Sequence, residues 1–286
     1  MLPIERVDGV PQAGVSAVHL SRMVGVTALL VVFSVVLGLA AGSFLNVVIY
    51  RLPRRESLIR PRSRCLACAA PIRVRDNIPV LSWLLLCGKC RMCGAPISRR
   101  YLYVEVLTGA IFGLLALRFG ADSALPAYLY LAAVGLALAV IDLDLRRLPN
   151  ALTLPSYLIG GVLLLAAAVV GGDGTRPLIR ALLGMVGLYV VYFALAFAYP
   201  AGMGFGDVKL AGVLGLYLGY LGWGPWCVGA FAGFLLGAIG GGIVIVTRRG
   251  GRKTAIPFGP FMLAGALVAI LVGAPLASAY LSLLGV

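Results

Sequence analysis

The chain has 286 residues, of which 61% are apolar and only 12% charged, with a mean hydropathy of +1.03 and a net charge of +14. An ordinary soluble domain is nearer half apolar and a quarter charged, and a chain this apolar in water would expose aggregation-prone patches. Composition therefore excludes a soluble enzyme. It predicts an all-α polytopic membrane protein, because long continuous apolar runs suit helices and not the short alternating strands of a barrel.

In chain order, residues 1–22 carry both charge signs and two prolines, and read as a polar tail. They do not resemble a cleaved signal, since the basic segment is weak and the apolar run after it too long. Residues 23–50 contain no charge, enough for a first tilted transmembrane helix of about 20 residues. Within that run Asn46 is expected to hydrogen-bond to protein, and Pro53 to end the helix. Residues 51–100 form a small Cys-rich module with five of the six cysteines. A unit this short has little core and needs a staple. From 101 to 286 a seven-helix membrane body follows, with crossings expected near 101–119, 125–141, 151–171, 178–199, 208–223, 226–247 and 260–284. That makes about eight transmembrane helices, 208–223 being the shortest of them.

Charge placement orients the chain. Arg51 to Arg100 holds twelve Lys and Arg against two acids, Glu56 and Asp76. A basic patch can bind nucleic acid, but beside this many apolar segments it follows from the positive-inside rule. The partner read here is the lipid bilayer, with no nucleic acid, and the module is placed in the cytoplasm. Alternation then puts Arg146 and Arg147, Lys209, and the basic residues of 248–253 on the same side. Asp142 and Asp207 fall at that face too, although 65 positions separate them.

The single histidine, His19, precedes the apolar body, which argues against histidine-dependent hydrolysis and against a two-histidine metalloprotease helix. The carboxylates are more informative. Asp122 and Asp173 fall in far-side loops and read as solvated. Glu105 reads as a helix-start charge suited to the dipole. Asp142, Asp144 and Asp207 lie at the cytoplasmic edge of apolar helices, where a charge is costly and marks a functional-site candidate. Asp144 has a bland alternative, pairing with Arg146 or Arg147. Asp207 closes Gly202-Met203-Gly204-Phe205-Gly206-Asp207, whose alternate glycines give the backbone latitude to bend and approach another chain. Asp142 and Asp144 point about 200° apart on a helix, so one of them faces the partner. Two neighbouring carboxylates cannot both ionise cheaply, so one keeps its proton. The ionised member can activate water against a peptide carbonyl while the protonated one steadies the oxyanion and protonates the leaving amine. Gly204, Gly206 and Lys209 form the loop around this site.

Cys65-Leu66-Ala67-Cys68 and Cys90-Arg91-Met92-Cys93 are two CxxC pairs with 21 residues between them. Both lead through a small residue to a proline, as in zinc knuckles. Four thiolates on one zinc ion would close the module, and disulfides are disfavoured in the cytoplasm. Cys87 also forms a CxxC with Cys90 and leaves the ligand set open. Cys227, in an apolar helix, reads as packing.

From 42 to 260 the chain resembles the type IV prepilin peptidases, aspartic proteases of the GxGD kind. The likeness rests on GSFLNVVIYRLP at 42–53, the CxxC pairs flanking DNIPVLSW at 76–83, and ISRRYLYVEVLTG at 97–109. It continues with IDLDLRRLPN at 141–150, GMGFGDVKL at 202–210 and IPFGPF at 256–261. The resemblance implies a bacterial inner-membrane endopeptidase acting at the cytoplasmic face, with Asp142 and Asp207 catalytic. It implies prepilin and pseudopilin substrates cut after a glycine, in type IV pilus and type II secretion systems. Members with the cysteine module often also N-methylate the new terminus with S-adenosylmethionine, whose site the sequence does not place. Asn150 stands where the family often has an acid. Two other classes compete: a transporter or proton relay using the same carboxylates, and an assembly scaffold built on the zinc module.

Overall fold

The structure is a computed structural model that describes residues 12–60, 63–200, 203–247 and 257–284. The tail up to residue 11, Gly202 and the basic stretch 248–253 lie outside the described residues. Outside the cysteine module, which is mostly turns, the described chain is helical, without a named strand: α1 (Gln12–Arg51), α2 (Leu81–Leu85), α3 (Arg99–Phe119), α4 (Leu125–Leu145), α5 (Asn150–Gly171), α6 (Arg176–Ala198), α7 (Phe205–Leu221), α8 (Trp223–Val246) and α9 (Gly259–Leu283). α1 reaches back into the segment read as a tail.

Seven of these helices are long and apolar enough to cross a membrane: α1, α3, α4, α5, α6, α8 and α9. The chain is a multi-pass membrane protein. The eighth expected crossing, α7, has 17 residues, about 25 Å at 1.5 Å per residue, short of the ~30 Å hydrocarbon layer. Its surroundings explain how so short a helix persists. Val208 and every residue from Leu210 to Tyr220 are buried, against side chains such as Leu131, Leu164, Leu188 and Met262. Enclosed by protein, α7 need not match the bilayer.

The closest helix pairs are α6–α7, α8–α9 and α1–α3. Small residues set the α6–α7 distance: a Cβ on Gly184 would lie 2.6 Å from the Gly215 carbonyl oxygen and 3.0 Å from Gly219 Cα. Such contact drives helix association where lipid offers no hydrophobic gain. Polar links then fix the stack. Tyr128 donates to the Tyr217 carbonyl at 2.9 Å, and Trp226 Nε1 to the Gly184 carbonyl at 3.0 Å. Asn46 donates to the Tyr101 carbonyl at 3.1 Å, tying α1 to α3 as expected of an intramembrane amide.

The α1–α3 hairpin carries the cysteine module and packs on the α4–α9 body along its length, from Leu45 and Val104 against Ile141 to Phe119, which stacks on Tyr128 at 4.5 Å; polar links join the two at one end. Arg100 pairs with Asp144 at 2.6 Å, and Arg147 reaches the Pro53 carbonyl at 3.5 Å. At the opposite end Asp122 accepts the Ala124 N–H at 2.7 Å and Asp173 accepts from Tyr220 at 3.4 Å; both acids are exposed, as expected, and also serve local structure. Cys227 faces outward and does not pack in the interior.

Gly184→Val should push α6 from α7 at a cost of about 1–3 kcal/mol. The thermal unfolding midpoint in detergent should fall, whereas Gly161→Ala, where an added methyl meets nothing within 4 Å, should leave it unchanged.

Candidate active site

Asp142 lies in the last turn of α4 and is buried, with 4% of its surface exposed. The helix stops because Arg146 turns left-handed at φ 52°, returning its N–H to the Asp142 carbonyl at 2.8 Å. The Asp142 carboxylate reaches across to α9, where Oδ2 accepts the Gly259 N–H at 3.1 Å. Gly259 opens α9, so that N–H is one of those a helix start leaves without an internal partner. The positive end of the helix dipole suits a carboxylate there. A Cβ on Gly259 would lie 2.8 Å from Asp142 Oδ2, so the approach requires glycine. Pro260 follows in the first turn, where a missing N–H costs little.

Asp207 occupies the first turn of α7 and is half-buried. Its N–H donates to the Gly204 carbonyl at 3.0 Å, and its Oδ2 accepts the Gly204 N–H at 3.2 Å. Both carboxylates thus sit on helix N-termini, one on its own helix and one on a helix that starts 117 residues further along. Leu148 packs against the glycine beside each acid: a Cβ on Gly206 would lie 3.2 Å from its Cβ, and one on Gly259 3.4 Å from its Cδ2. Tyr192 of α6 is buried. Its ring stacks on Phe234 at 5.2 Å and meets Phe258, the residue before Gly259, at 6.3 Å.

Of the two properties expected of the glycines before Asp207, Gly206 shows the close approach, while neither Gly204 nor Gly206 shows the bend. Gly204 has an ordinary φ of −78° and Gly206 is helical, so backbone latitude is not what they supply. Gly206 gives room for Leu148 instead. Lys209 is gripped by α5 at both ends. Its ammonium donates to Asn150 Oδ1 at 3.0 Å and lies 5.0 Å over the Phe205 ring, while its carbonyl accepts from Tyr157 at 2.6 Å. A neutral amide therefore holds the Lys209 ammonium. Asp144 points outward and pairs with Arg100, not with Arg146 or Arg147. That separates two aspartates that helix geometry alone left open. Glu105 is no helix-start charge: it is the seventh residue of α3, buried, and accepts the Val80 N–H at 2.7 Å. Gly259, Leu148, Tyr157 and Tyr192 were not picked out from the sequence. Of these only Gly259 carried a signal, the Phe-Gly-Pro order that begins a helix.

In the module, the sulfurs of Cys65, Cys68, Cys90 and Cys93 all lie within 4.8 Å of one another, with Cys65 and Cys93 at 3.8 Å. The edge of a tetrahedron with metal–sulfur bonds of about 2.3 Å is about 3.8 Å, so the donor set fits a four-coordinate ion. The two turns are built alike. Cys65 and Cys90 donate to the carbonyls of Ala70 (2.9 Å) and Ala95 (2.8 Å), and accept the N–H of Ala69 (3.0 Å) and Gly94 (2.9 Å). Both acceptor turns pass through a left-handed residue, Ala69 at φ 58° and Gly94 at φ 70°. Backbone N–H groups of Cys68 and Ala67 lower the Cys65 thiol to about 6, favouring the thiolate that binds metal. Cys87 is exposed and stands outside this group of four sulfurs. Arg91 Nη2 pairs with Asp76 at 2.7 Å, tying the intervening segment to the second turn and holding the Asp76 carboxyl below its usual value.

The profile of the type IV leader peptidase family matches residues 129–285. The chain belongs to this family. The profile of the bacterial peptidase A24 N-terminal domain matches residues 36–119, which contain the module and α3. The leader peptidase match contains Asp142, Asp207 and Gly259, so the division between the two profiles falls where α3 hands over to α4. Among relatives, the prepilin leader peptidase/N-methyltransferase of Stutzerimonas stutzeri is 36% identical over 278 residues, 88% of this chain and 93% of the relative. Its namesake from Aeromonas hydrophila is 38% identical over 275 residues, 85% and 91% of the two chains. That of Myxococcus xanthus is 40% identical over 229 residues, 79% and 67%. No solved structure matches the chain.

Purified protein should retain one divalent ion per chain by elemental analysis. Cys90→Ser should lose it, with loosening of the module to proteolysis, whereas Cys87→Ser should keep it.

Proposed function

We propose that this chain is a prepilin peptidase, cutting leaders after a glycine at the cytoplasmic face of the bacterial inner membrane, with Asp142 and Asp207 as its catalytic carboxylates. The observation that carries this reading is the convergence of these two acids on the N-termini of α9 and α7. Relatives named prepilin leader peptidase/N-methyltransferase support the substrate class.

The chemistry follows from the surroundings. The two carboxylates share one proton, since like charges this close resist joint ionisation. The ionised member draws a proton from a water molecule, whose oxygen forms a bond to the scissile carbonyl carbon. The protonated member hydrogen-bonds the developing oxyanion. Collapse of the tetrahedral intermediate breaks the C–N bond as a proton passes to the leaving amine. The pair acts as a unit, so either carboxylate can take either part. The Gly259 and Gly204 N–H groups fix one oxygen of each acid and leave the others for water and substrate. Leu148 and the Tyr192–Phe258 wall keep bulk water from the protein side.

The cysteine turns suit zinc, held by Cys65, Cys68, Cys90 and Cys93. Bound there, zinc supplies structural closure and no reaction step. The relatives' second activity would require S-adenosylmethionine as methyl donor. The amine it would modify forms beside the dyad, on the face where the module joins the body.

A peptide spanning a basic leader and a Gly-Phe junction, presented in detergent or liposomes, tests the assignment. Asp142→Asn and Asp207→Asn should each lower cleavage by about 10²–10⁴-fold while the protein still inserts. Gly259→Ala, which drives a methyl into the Asp142 carboxylate, should lower kcat more than it raises KM. Near-normal cleavage by either Asn variant defeats the dyad, and charge movement without proteolysis would favour a proton relay.

A further inference from the structure

We infer that α2 is an interfacial anchor: Leu81, Leu84 and Leu85 insert at the acyl–headgroup boundary of the bilayer that the spanning helices cross, with the module's arginines on anionic headgroups. The composition of α2 poses the question. It has five residues, and its leucines are 49%, 54% and 73% exposed, while Ser82 faces inward. Three adjacent leucines on a polar module would be unfavourable in water.

Depth supplies the occupant. The Val80 N–H is held by Glu105 Oε2 at 2.7 Å. Glu105 is six residues past the start of α3 at Arg99, about 9 Å along the helix axis at 1.5 Å per residue. Around it, Tyr103, Val106 and Leu107 are exposed apolar or amphipathic side chains on a helix long and apolar enough to cross a membrane. The start of α2 is therefore held at the level where the membrane helix is already wetted by lipid.

The backbone is bent to achieve this. Leu81 N–H returns to the Pro79 carbonyl at 2.6 Å across Val80, at φ 62° and ψ −53°. A β-branched residue at positive φ is strained and persists only where its surroundings impose it. Glu105 holds one side. Ser82 holds the other, accepting the Ile78 N–H at 2.9 Å and donating to the Arg75 carbonyl at 3.0 Å. Charge favours a lipid over a protein occupant. Arg73, Arg75, Lys89 and Arg99 flank the segment and are exposed, and the module has twelve basic residues to two acids. Basic residues beside an apolar insertion are attracted to anionic leaflets.

The full chain, with a photoreactive phenylalanine analogue at Leu85 or, for reference, at Leu66 in the first cysteine turn, is placed in vesicles of phosphatidylethanolamine and phosphatidylglycerol and irradiated. Mass spectrometry should find a phospholipid adduct at Leu85 several-fold above that at Leu66. A protein adduct at Leu85, to a second copy or to an added pilin peptide, overturns the inference, as does equal lipid labelling at both positions or none at either. Leu84→Asp with the analogue at Leu85 should lower the lipid adduct. An unchanged yield also counts against insertion.

Discussion

A carboxylate at the end of one membrane helix caps the beginning of another that starts 117 residues later. The Asp142–Gly259 hydrogen bond places a negative group where an α-helix presents unpaired N–H donors. In a medium of low polarity that arrangement satisfies both partners together. Without it Asp142 would be a buried acid with no donor, and α9 would begin with an unmet N–H. The rest of the site follows from the closeness this bond enforces: glycine at 259, Leu148 as spacer, and the first turn of α7 brought alongside.

The same economy recurs on the other side of the site. Asp207 satisfies the N-terminus of its own helix, and Lys209 two residues later is held by Asn150 and Tyr157 of α5. α7 is thus fixed at its first turn and enclosed along its length, which removes any need to span the bilayer alone. Around this body the α1–α3 hairpin is attached at the active-site end, through Arg100–Asp144 and Arg147–Pro53. The cysteine module is held in turn by Glu105. Mechanical continuity therefore runs from the two cysteine turns to the residues beside Asp142, in a chain whose two parts match two separate family profiles.

Much of this was legible in the sequence. Uncharged runs and their Gly and Pro breaks placed the helices from α3 to α9 within a few residues, because apolar length dominates every other signal in lipid, whereas α1 begins eleven residues before the run that announced it. The two CxxC turns announced their geometry through spacing. Asp142 was separable from Asp144 only by resemblance, since two positions on one helix differ in what surrounds them and not in their own pattern. The roles of Glu105, Gly259, Leu148 and Tyr157 were hidden for another reason. Each acts through a partner 25 to 117 residues away, and local pattern holds no trace of such a pairing. The glycines before Asp207 show the converse, a true signal with a different cause: space for Leu148 and not backbone freedom.

The central claim is that Asp142 and Asp207 act as one interacting pair. Infrared titration tests it most directly, following in wild-type protein the carboxyl band that Asp142→Asn removes, and then following the same band in Asp207→Asn. The account predicts that losing Asp207 moves the Asp142 titration midpoint by more than about one pH unit, the mark of strongly coupled groups. A midpoint that stays in place would show two independent acids and contradict it.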